Sequence, residues 1–167
     1  KKYFKRILDL ILSIIFLIIL MPIMILIFIL VWMFIGFPIF TQIRPGLDNK
    51  LFTIYKFKTL YDGDDDDLSK TSSLGNFLRK SRLDELPQLI NVINNEMSLV
   101  GPRPLLKEYL NNERFKNHVR KKVLPGITGM AQINLYQKKI KWTNQLNFDA
   151  QYVSRLNFLI DLKIIAL

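Results

Sequence analysis

Two adjacent acids, Asp84 and Glu85, stand where a helix is expected to begin, in Leu83-Asp84-Glu85-Leu86-Pro87-Gln88-Leu89. Neighbouring helical residues point roughly 100° apart, so the two carboxylates do not face each other. One can attack or ligate a metal while the other orients or coordinates. A helix N-terminus favours the ionised, nucleophilic carboxylate and attracts phosphate through its free N–H groups. Acids at a helix start are also ordinary capping and dipole residues. Arg103 adds a second chemical feature. It is held between Pro102 and Pro104 in Gly101-Pro102-Arg103-Pro104, where a pre-set guanidinium suits a two-pronged grip on phosphate; a surface ion pair is its plainer role. Lys58, in Lys56-Phe57-Lys58-Thr59, is a further phosphate contact or an interfacial anchor.

The element that must place these groups is an uncharged run from Leu10 to Phe40. It is about 31 residues long, where about 20 apolar residues cross a bilayer. Pro22 interrupts it and predicts a kink or break near residues 18–22. Lys1, Lys2, Lys5 and Arg6 precede the run; Arg44, Lys50, Lys56 and Lys58 follow it. Positive charge marks the cytoplasmic side, and both flanks carry it. A re-entrant helix-break-helix that enters and leaves on one face satisfies both clues. One kinked, tilted spanning helix also fits the length.

Downstream, Ile39–Ile43 and Leu51–Phe57 are rich in β-branched and aromatic residues, and the turn residues between them predict a β-hairpin. The acidic run 62–67 holds five aspartates in six positions and reads as a solvated loop. Ser72 to Arg82 predicts a short basic helix lying at the interface. Asp84 to Met97 predicts a helix with Asp84 as N-cap, Pro87 at its third position, and an apolar stripe of Leu86, Leu89, Ile90 and Ile93. Ser98–Pro104 reads as a rigid turn, Lys107–Lys122 as a mostly solvated helix, Leu124–Met130 as a loop, and Phe148–Leu167 as a helix with Tyr152, Leu156 and Leu159 on one face.

The chain has 167 residues, a net charge of +10, no cysteine and one histidine, His118. These exclude a cysteine nucleophile, a cysteine zinc site and a disulfide scaffold. Beside a membrane segment, the positive balance points to anionic headgroups and phosphate-bearing substrates. A nucleic-acid-binding module is the rival reading, but no aromatic-basic recognition segment supports it. The chain ends inside an apolar run, Leu159–Leu167, which suggests a further C-terminal tail.

Taken in order, the proline-broken apolar segment, Gln42-x-Arg44-Pro45-Gly46, Tyr55-Lys56-Phe57-Lys58-Thr59, Asp84-Glu85-Leu86-Pro87-Gln88-Leu89, Gly101-Pro102-Arg103-Pro104, Pro125-Gly126-Ile127-Thr128-Gly129-x-Ala131-Gln132 and Asp161-Leu162-Lys163-Ile164 resemble the bacterial sugar transferases. Within them the likeness is to the small monotopic phosphoglycosyl transferases, most of all those acting on UDP-diacetylbacillosamine in N-linked protein glycosylation. The resemblance covers essentially the whole chain. It implies an α+β fold, predominantly helical. A re-entrant membrane anchor over residues 1–37 would precede a cytoplasmic catalytic domain over 38–167, with a short hairpin and amphipathic interface helices.

The implied reaction moves a sugar 1-phosphate from a UDP-sugar, of an N-acetylated amino or diamino sugar, to undecaprenyl phosphate at the bacterial inner membrane. Asp84 would be the nucleophile, Asp84 and Glu85 the Mg²⁺ ligands, and Arg103 a phosphate-binding residue. The implied partners are UDP-sugar, undecaprenyl phosphate, membrane phospholipids and downstream glycosyltransferases, with no nucleic acid. Three positions depart from the pattern. Met21-Pro22 replaces Ser-Pro, Met130 replaces tryptophan, and Leu135-Tyr136-Gln137-Lys138-Lys139 replaces Gly-Arg-Asn. Lys138 or Lys139 would supply the charge of the missing arginine, without its bidentate geometry. A catalytically inactive membrane scaffold of the same fold is the alternative; the intact Asp84, Glu85 and Arg103 argue against it.

Overall fold

The computed structural model describes residues 2–61, 71–138 and 144–166. It is mostly helical with two small sheets, an α+β architecture as expected. The first helix, α1, spans Lys2–Phe34. It runs through Pro22 without interruption, which corrects the expected helix-break-helix: there is one helix, not two. The proline removes a single N–H. Every further peptide group freed in an apolar surrounding would cost several kcal/mol, so the rest of the ladder stays closed. Beyond α1 the chain turns at Gly36, whose φ of 122° is open only to glycine.

The hairpin forms as predicted. Strand β1 (Ile39–Pro45) pairs antiparallel with β2 (Leu51–Phe57), from Ile39 opposite Phe57 to Pro45 opposite Leu51. Asp48 and Asn49 carry the turn at positive φ, which short polar side chains tolerate. Helix α2 (Ser73–Ser81) also follows expectation; the Ser72 hydroxyl caps it by accepting from the Gly75 N–H at 2.8 Å.

Helix α3 departs from expectation. It spans only Gln88–Ile93, with Pro87 as its N-cap, and Asp84 lies in a preceding 3-10 turn, Leu83–Glu85. Pro87 has no N–H to give the Leu83 carbonyl, so the helix cannot extend backwards. The bonds Leu86 N–H to Leu83 O and Ile90 N–H to Pro87 O are three-residue steps instead. At the other end Asn95, at φ 63°, stops the helix before Met97. The buried face is Gln88, Leu89, Asn91 and Val92, whereas Ile90 of the expected stripe is 42% exposed. Asn91 is satisfied there: its side chain donates to Thr53 O and Glu96 Oε2 and accepts from Tyr55 N–H.

Two stretches read as turn and loop contain strands. Strands β3 (Ser98–Val100) and β4 (Gly126–Thr128) pair in parallel. Three-residue strands are too short to show alternation, and their partner lies far along the chain. A Cβ on Gly126 would lie 2.0 Å from the Gly101 nitrogen, so glycine is required where β4 meets the Gly-Pro-Arg-Pro turn. The expected helix over Lys107–Lys122 is instead α4 (Glu113–Lys116) between 3-10 turns. Helix α5 covers Met130–Lys138. The expected C-terminal helix is split into α6 (Gln145–Ser154) and α7 (Phe158–Ile165), because Asn157 is extended and caps α7 through its side chain. Of its predicted face Tyr152 is buried, Leu156 half-buried and Leu159 exposed.

Both ends of α1 pack on the rest of the chain. Near its start Arg6 donates to the Val92 and Ile93 carbonyls, closing the end of α3, and Lys5 pairs with Asp161 at 2.7 Å. Near its end Ile27, Val31 and Ile35 form a core cluster with Phe57 and Leu78. A larger core gathers Val92, Met97, Val100, Tyr152 and Ile164. The outer face of α1 leaves Ile7, Ile11, Ile18 and Ile25 exposed, as a helix in lipid requires.

Candidate active site

A polar pocket of about 330 Å³ opens between the hairpin, α2 and the Gly-Pro-Arg-Pro turn. Among the described residues six cationic side chains line it (Arg44, Lys56, Lys58, Arg79, Arg82 and Arg103) against two carboxylates, Asp84 and Glu85. Four residues singled out from sequence, Asp84, Glu85, Arg103 and Lys58, therefore meet at one place. Lys139 and the side chain of Lys138, at the end of α5, lie outside the described residues, as does the acidic run 62–67.

The local chain path explains the placement. Arg82 closes α2 in the left-handed conformation at φ 61°, which turns the chain into the 3-10 turn carrying the two acids. Both acids are buried, Asp84 at 8% and Glu85 at 5% exposure. Glu85 Oε1 accepts from Lys56 Nζ at 2.8 Å and from an Arg103 guanidinium nitrogen at 2.9 Å; Arg82 lies 3.9 Å away. Burial opposes the ionisation of Glu85, but Arg103 and Lys56 outweigh it and hold its pKa at about 2. Burial also pushes the Lys56 ammonium down, against the pull of Glu85.

Asp84 is the opposite case. Burial, with the Glu85 charge beside it, raises its pKa above the ordinary 3.8. Its Oδ1 is buried without a hydrogen-bond partner. A buried lone pair of this kind costs about 1–3 kcal/mol unless something occupies it. Among the described residues no group of three or more acids and histidines forms a metal cage. Mg²⁺ is commonly held by one or two carboxylates with substrate phosphates and water, and the open Oδ1 of Asp84 fits that habit. Glu85 fits less well, since its Oε1 is already engaged.

Several residues of the site were not singled out from sequence. Lys56 lies near the end of β2, two residues before Lys58, and a spacing of two puts both on one face of an extended chain. Arg79 donates from Nε to Thr59 Oγ1 at 2.8 Å, and Arg82 is two residues before the acids. Behind Arg103 lies a pair with no local signature. The Arg120 guanidinium donates to the Arg103 carbonyl and sits 3.3 Å from Asp149 Oδ2, with both side chains largely buried. Burial pushes Asp149 up to about 6, against the pull of Arg120. His118 caps the turn ahead of Arg120, its Nδ1 accepting from the Arg120 N–H.

The chain has relatives among known proteins. A relative, the uncharacterised sugar transferase EpsL of Bacillus subtilis, is 46% identical over 140 residues, covering 80% of this chain and 69% of its own length. The UDP-glucose:undecaprenyl-phosphate glucose-1-phosphate transferase of Escherichia coli is 36% identical across 77% of the chain. The galactosyl transferase CpsE of Streptococcus agalactiae is 31% identical across 77%. The matched part makes up 31% of the Escherichia coli relative and 33% of the Streptococcus one, so the chain spans about a third of their length. The family profile described as bacterial sugar transferase matches residues 1–167, and the chain belongs to the bacterial sugar transferase family.

Proposed function

We propose that this chain is a phosphoglycosyl transferase that moves a sugar 1-phosphate from a UDP-sugar to undecaprenyl phosphate and releases UMP. The observation that carries the reading is the contrast within Asp84–Glu85: a buried carboxylate with an unpartnered oxygen, beside a carboxylate saturated by cations, in a pocket with six positive side chains. A diphosphate donor needs that positive excess before an anionic nucleophile can approach it. Asp84 attacks the phosphorus next to the sugar, the bond from that phosphorus to the bridging oxygen breaks, and UMP leaves with that oxygen. A phosphate oxygen of undecaprenyl phosphate then attacks the aspartyl phosphosugar, forms the diphosphate and returns the Asp84 carboxylate. Glu85 stays ionised throughout and keeps Lys56 and Arg103 in place; Arg103 and Lys58 face the donor phosphates. Asp84, through Oδ1, and Glu85 are the residues that would hold Mg²⁺, whose chemistry when bound is to neutralise the diphosphate.

A bend at Pro22 that leaves α1 unbroken would make it a re-entrant anchor, with the catalytic domain on the cytoplasmic face of a bacterial inner membrane. A straight helix of this length would measure about 50 Å, against a hydrocarbon core of about 30 Å. Residues near both of its ends pack on the same folded unit, which suits entry and exit on one side. Cysteines introduced at residues 2 and 50 are then labelled from the same side of sealed vesicles; opposite sides would overturn this topology.

The sugar is the open choice. Relatives are named for glucose and galactose, and the resemblance in sequence points to an N-acetylated amino or diamino sugar. The purified chain is incubated with Mg²⁺ and a panel of these UDP-sugars without acceptor, and its intact mass is read. A gain of one sugar phosphate, absent in Asp84→Asn, is expected and identifies the donor. UMP release by Asp84→Asn in the presence of undecaprenyl phosphate would remove the covalent step.

A further inference from the structure

A second hollow, of about 540 Å³, shares Arg82 and Glu85 with the cationic pocket and otherwise has different walls. Those walls are mainly apolar: Phe16 and Leu20 of α1, Leu89 of α3, Leu99 of β3, Ile133 of α5 and Ile165 of α7. Among the described residues its charged lining is limited to Lys80, Arg82 and Glu85. An apolar groove with two cations beside the nucleophile's turn has the chemistry that suits an anionic lipid: a hydrocarbon tail with one compact negative head. Because α1 supplies one wall, and α1 is the segment exposed to lipid, the tail can enter from the bilayer without crossing water.

We infer that this groove is the acceptor site, holding the isoprenoid chain of the polyprenyl phosphate, with its phosphate at Lys80 and Arg82. The inference rests on the transfer reaction proposed above and deepens it by separating the two substrates. The nucleotide-sugar occupies the cationic pocket, the lipid occupies the groove, and the turn 82–85 is common to both. A second apolar trough of about 530 Å³, lined by Leu8, Leu12, Leu159 and Leu162, serves as a natural contrast. Its charged residues, Lys5, Asp9 and Asp161, are already paired with one another. Among the described residues it therefore offers an anion no uncommitted cation.

The test uses the full chain in nanodiscs. Leu20→Trp and Ile133→Trp fill the groove, and Leu159→Trp adds the same bulk to the other trough at an exposed position. With the accepted UDP-sugar, the groove variants are expected to raise the KM for undecaprenyl phosphate about tenfold or more while the KM for the UDP-sugar stays within about twofold. Leu159→Trp is expected to change neither. An unchanged lipid KM in both groove variants would overturn the inference.

The second arm needs no catalysis, so it survives failure of the proposed reaction. The wild-type chain is photolabelled with a polyprenyl phosphate bearing a diazirine in its tail. Labelled peptides from 16–20 and 130–134, chased by undecaprenyl phosphate but not by an equal amount of dioleoyl phosphatidylglycerol, support the acceptor groove. Labelling confined to the other trough, or an equal chase by phosphatidylglycerol, would show an ordinary phospholipid contact and sink it. A wild type that releases no UMP with any donor, yet labels in the groove, would discard the reaction and leave the lipid site standing.

Discussion

Two buried polar clusters in this molecule are built on different terms. At the foot of α1, Lys5 bonds Asp161 Oδ2, Asp9 accepts from the Ser98 hydroxyl at 2.7 Å and the Leu99 N–H at 3.3 Å, and the Tyr152 hydroxyl lies 2.8 Å from Asp161 Oδ1. Each polar atom there has a partner. Around Asp84 and Glu85 the balance is broken. Among the described residues cations outnumber carboxylates there, and Asp84 Oδ1 and Gln88 Nε2 are buried with no partner. Folding alone favours the first arrangement, since an unsatisfied buried group costs about 1–3 kcal/mol. The second fits the proposed site, where the missing partner would be a substrate. Polar burial by itself therefore does not mark function in this chain, and neither does one unsatisfied atom, since Ser13 Oγ on α1 is another; the open carboxylate among excess cations sets the second cluster apart.

The comparison can be broken most decisively at its two acids. Asp84→Asn should lower turnover by about a thousandfold or more if Asp84 is the nucleophile proposed above. It should not lower thermal stability. The pKa of Asp84 is raised in the fold, so its contribution to stability is present below 3.8 and lost as pH rises through the folded value. The amide escapes that loss, so its advantage over wild type should appear at pH 7 and vanish at pH 3, as thermal unfolding in nanodiscs would show. At the satisfied cluster, Asp161→Ala should do the reverse. It removes the closest partner of Lys5 and a partner of Tyr152, and should cost about 3–5 kcal/mol, with activity per folded molecule unchanged.

Smaller effects sharpen the contrast. Glu85→Gln should destabilise by about 1–3 kcal/mol, because it leaves Lys56 without its charge partner. The pKa of Glu85 is lowered from 4.5 to about 2, so the gap from wild type should be full above pH 4.5 and close as pH falls toward 2. A gap that persisted at pH 2 would mean that packing, not charge, was lost. Arg120→Lys should reduce kcat/KM for the UDP-sugar by about tenfold, because a lysine cannot hold Asp149 and the Arg103 carbonyl together. Unaltered kinetics would show that Arg103 needs no support from behind.

Legibility followed locality. The hairpin, α2 and the long apolar helix were readable because each is declared by a few neighbouring residues. The two-strand sheet of β3 and β4 was not, since each strand is three residues long and its only support is the other. The start of α3 was misplaced for a related reason: Pro87 is compatible with the first turn of a helix and with its cap, and Arg82 in the left-handed conformation decides between them. The uninterrupted course of α1 through Pro22 was likewise undecidable from a proline alone.

The site divides in the same way. Residue types and their order were enough for the family, for the long apolar helix, and for singling out two acids, Arg103 and Lys58, which fold to one pocket. Those are statements about chemistry carried by short motifs. That Asp84 is the unsatisfied acid and Glu85 the saturated one was settled only by folding. So were the support of Arg103 by Arg120 and Asp149, and the groove beside the turn. Each depends on groups tens of residues apart arriving within about 3 Å, where burial strengthens every charge interaction that an extended chain in water would screen.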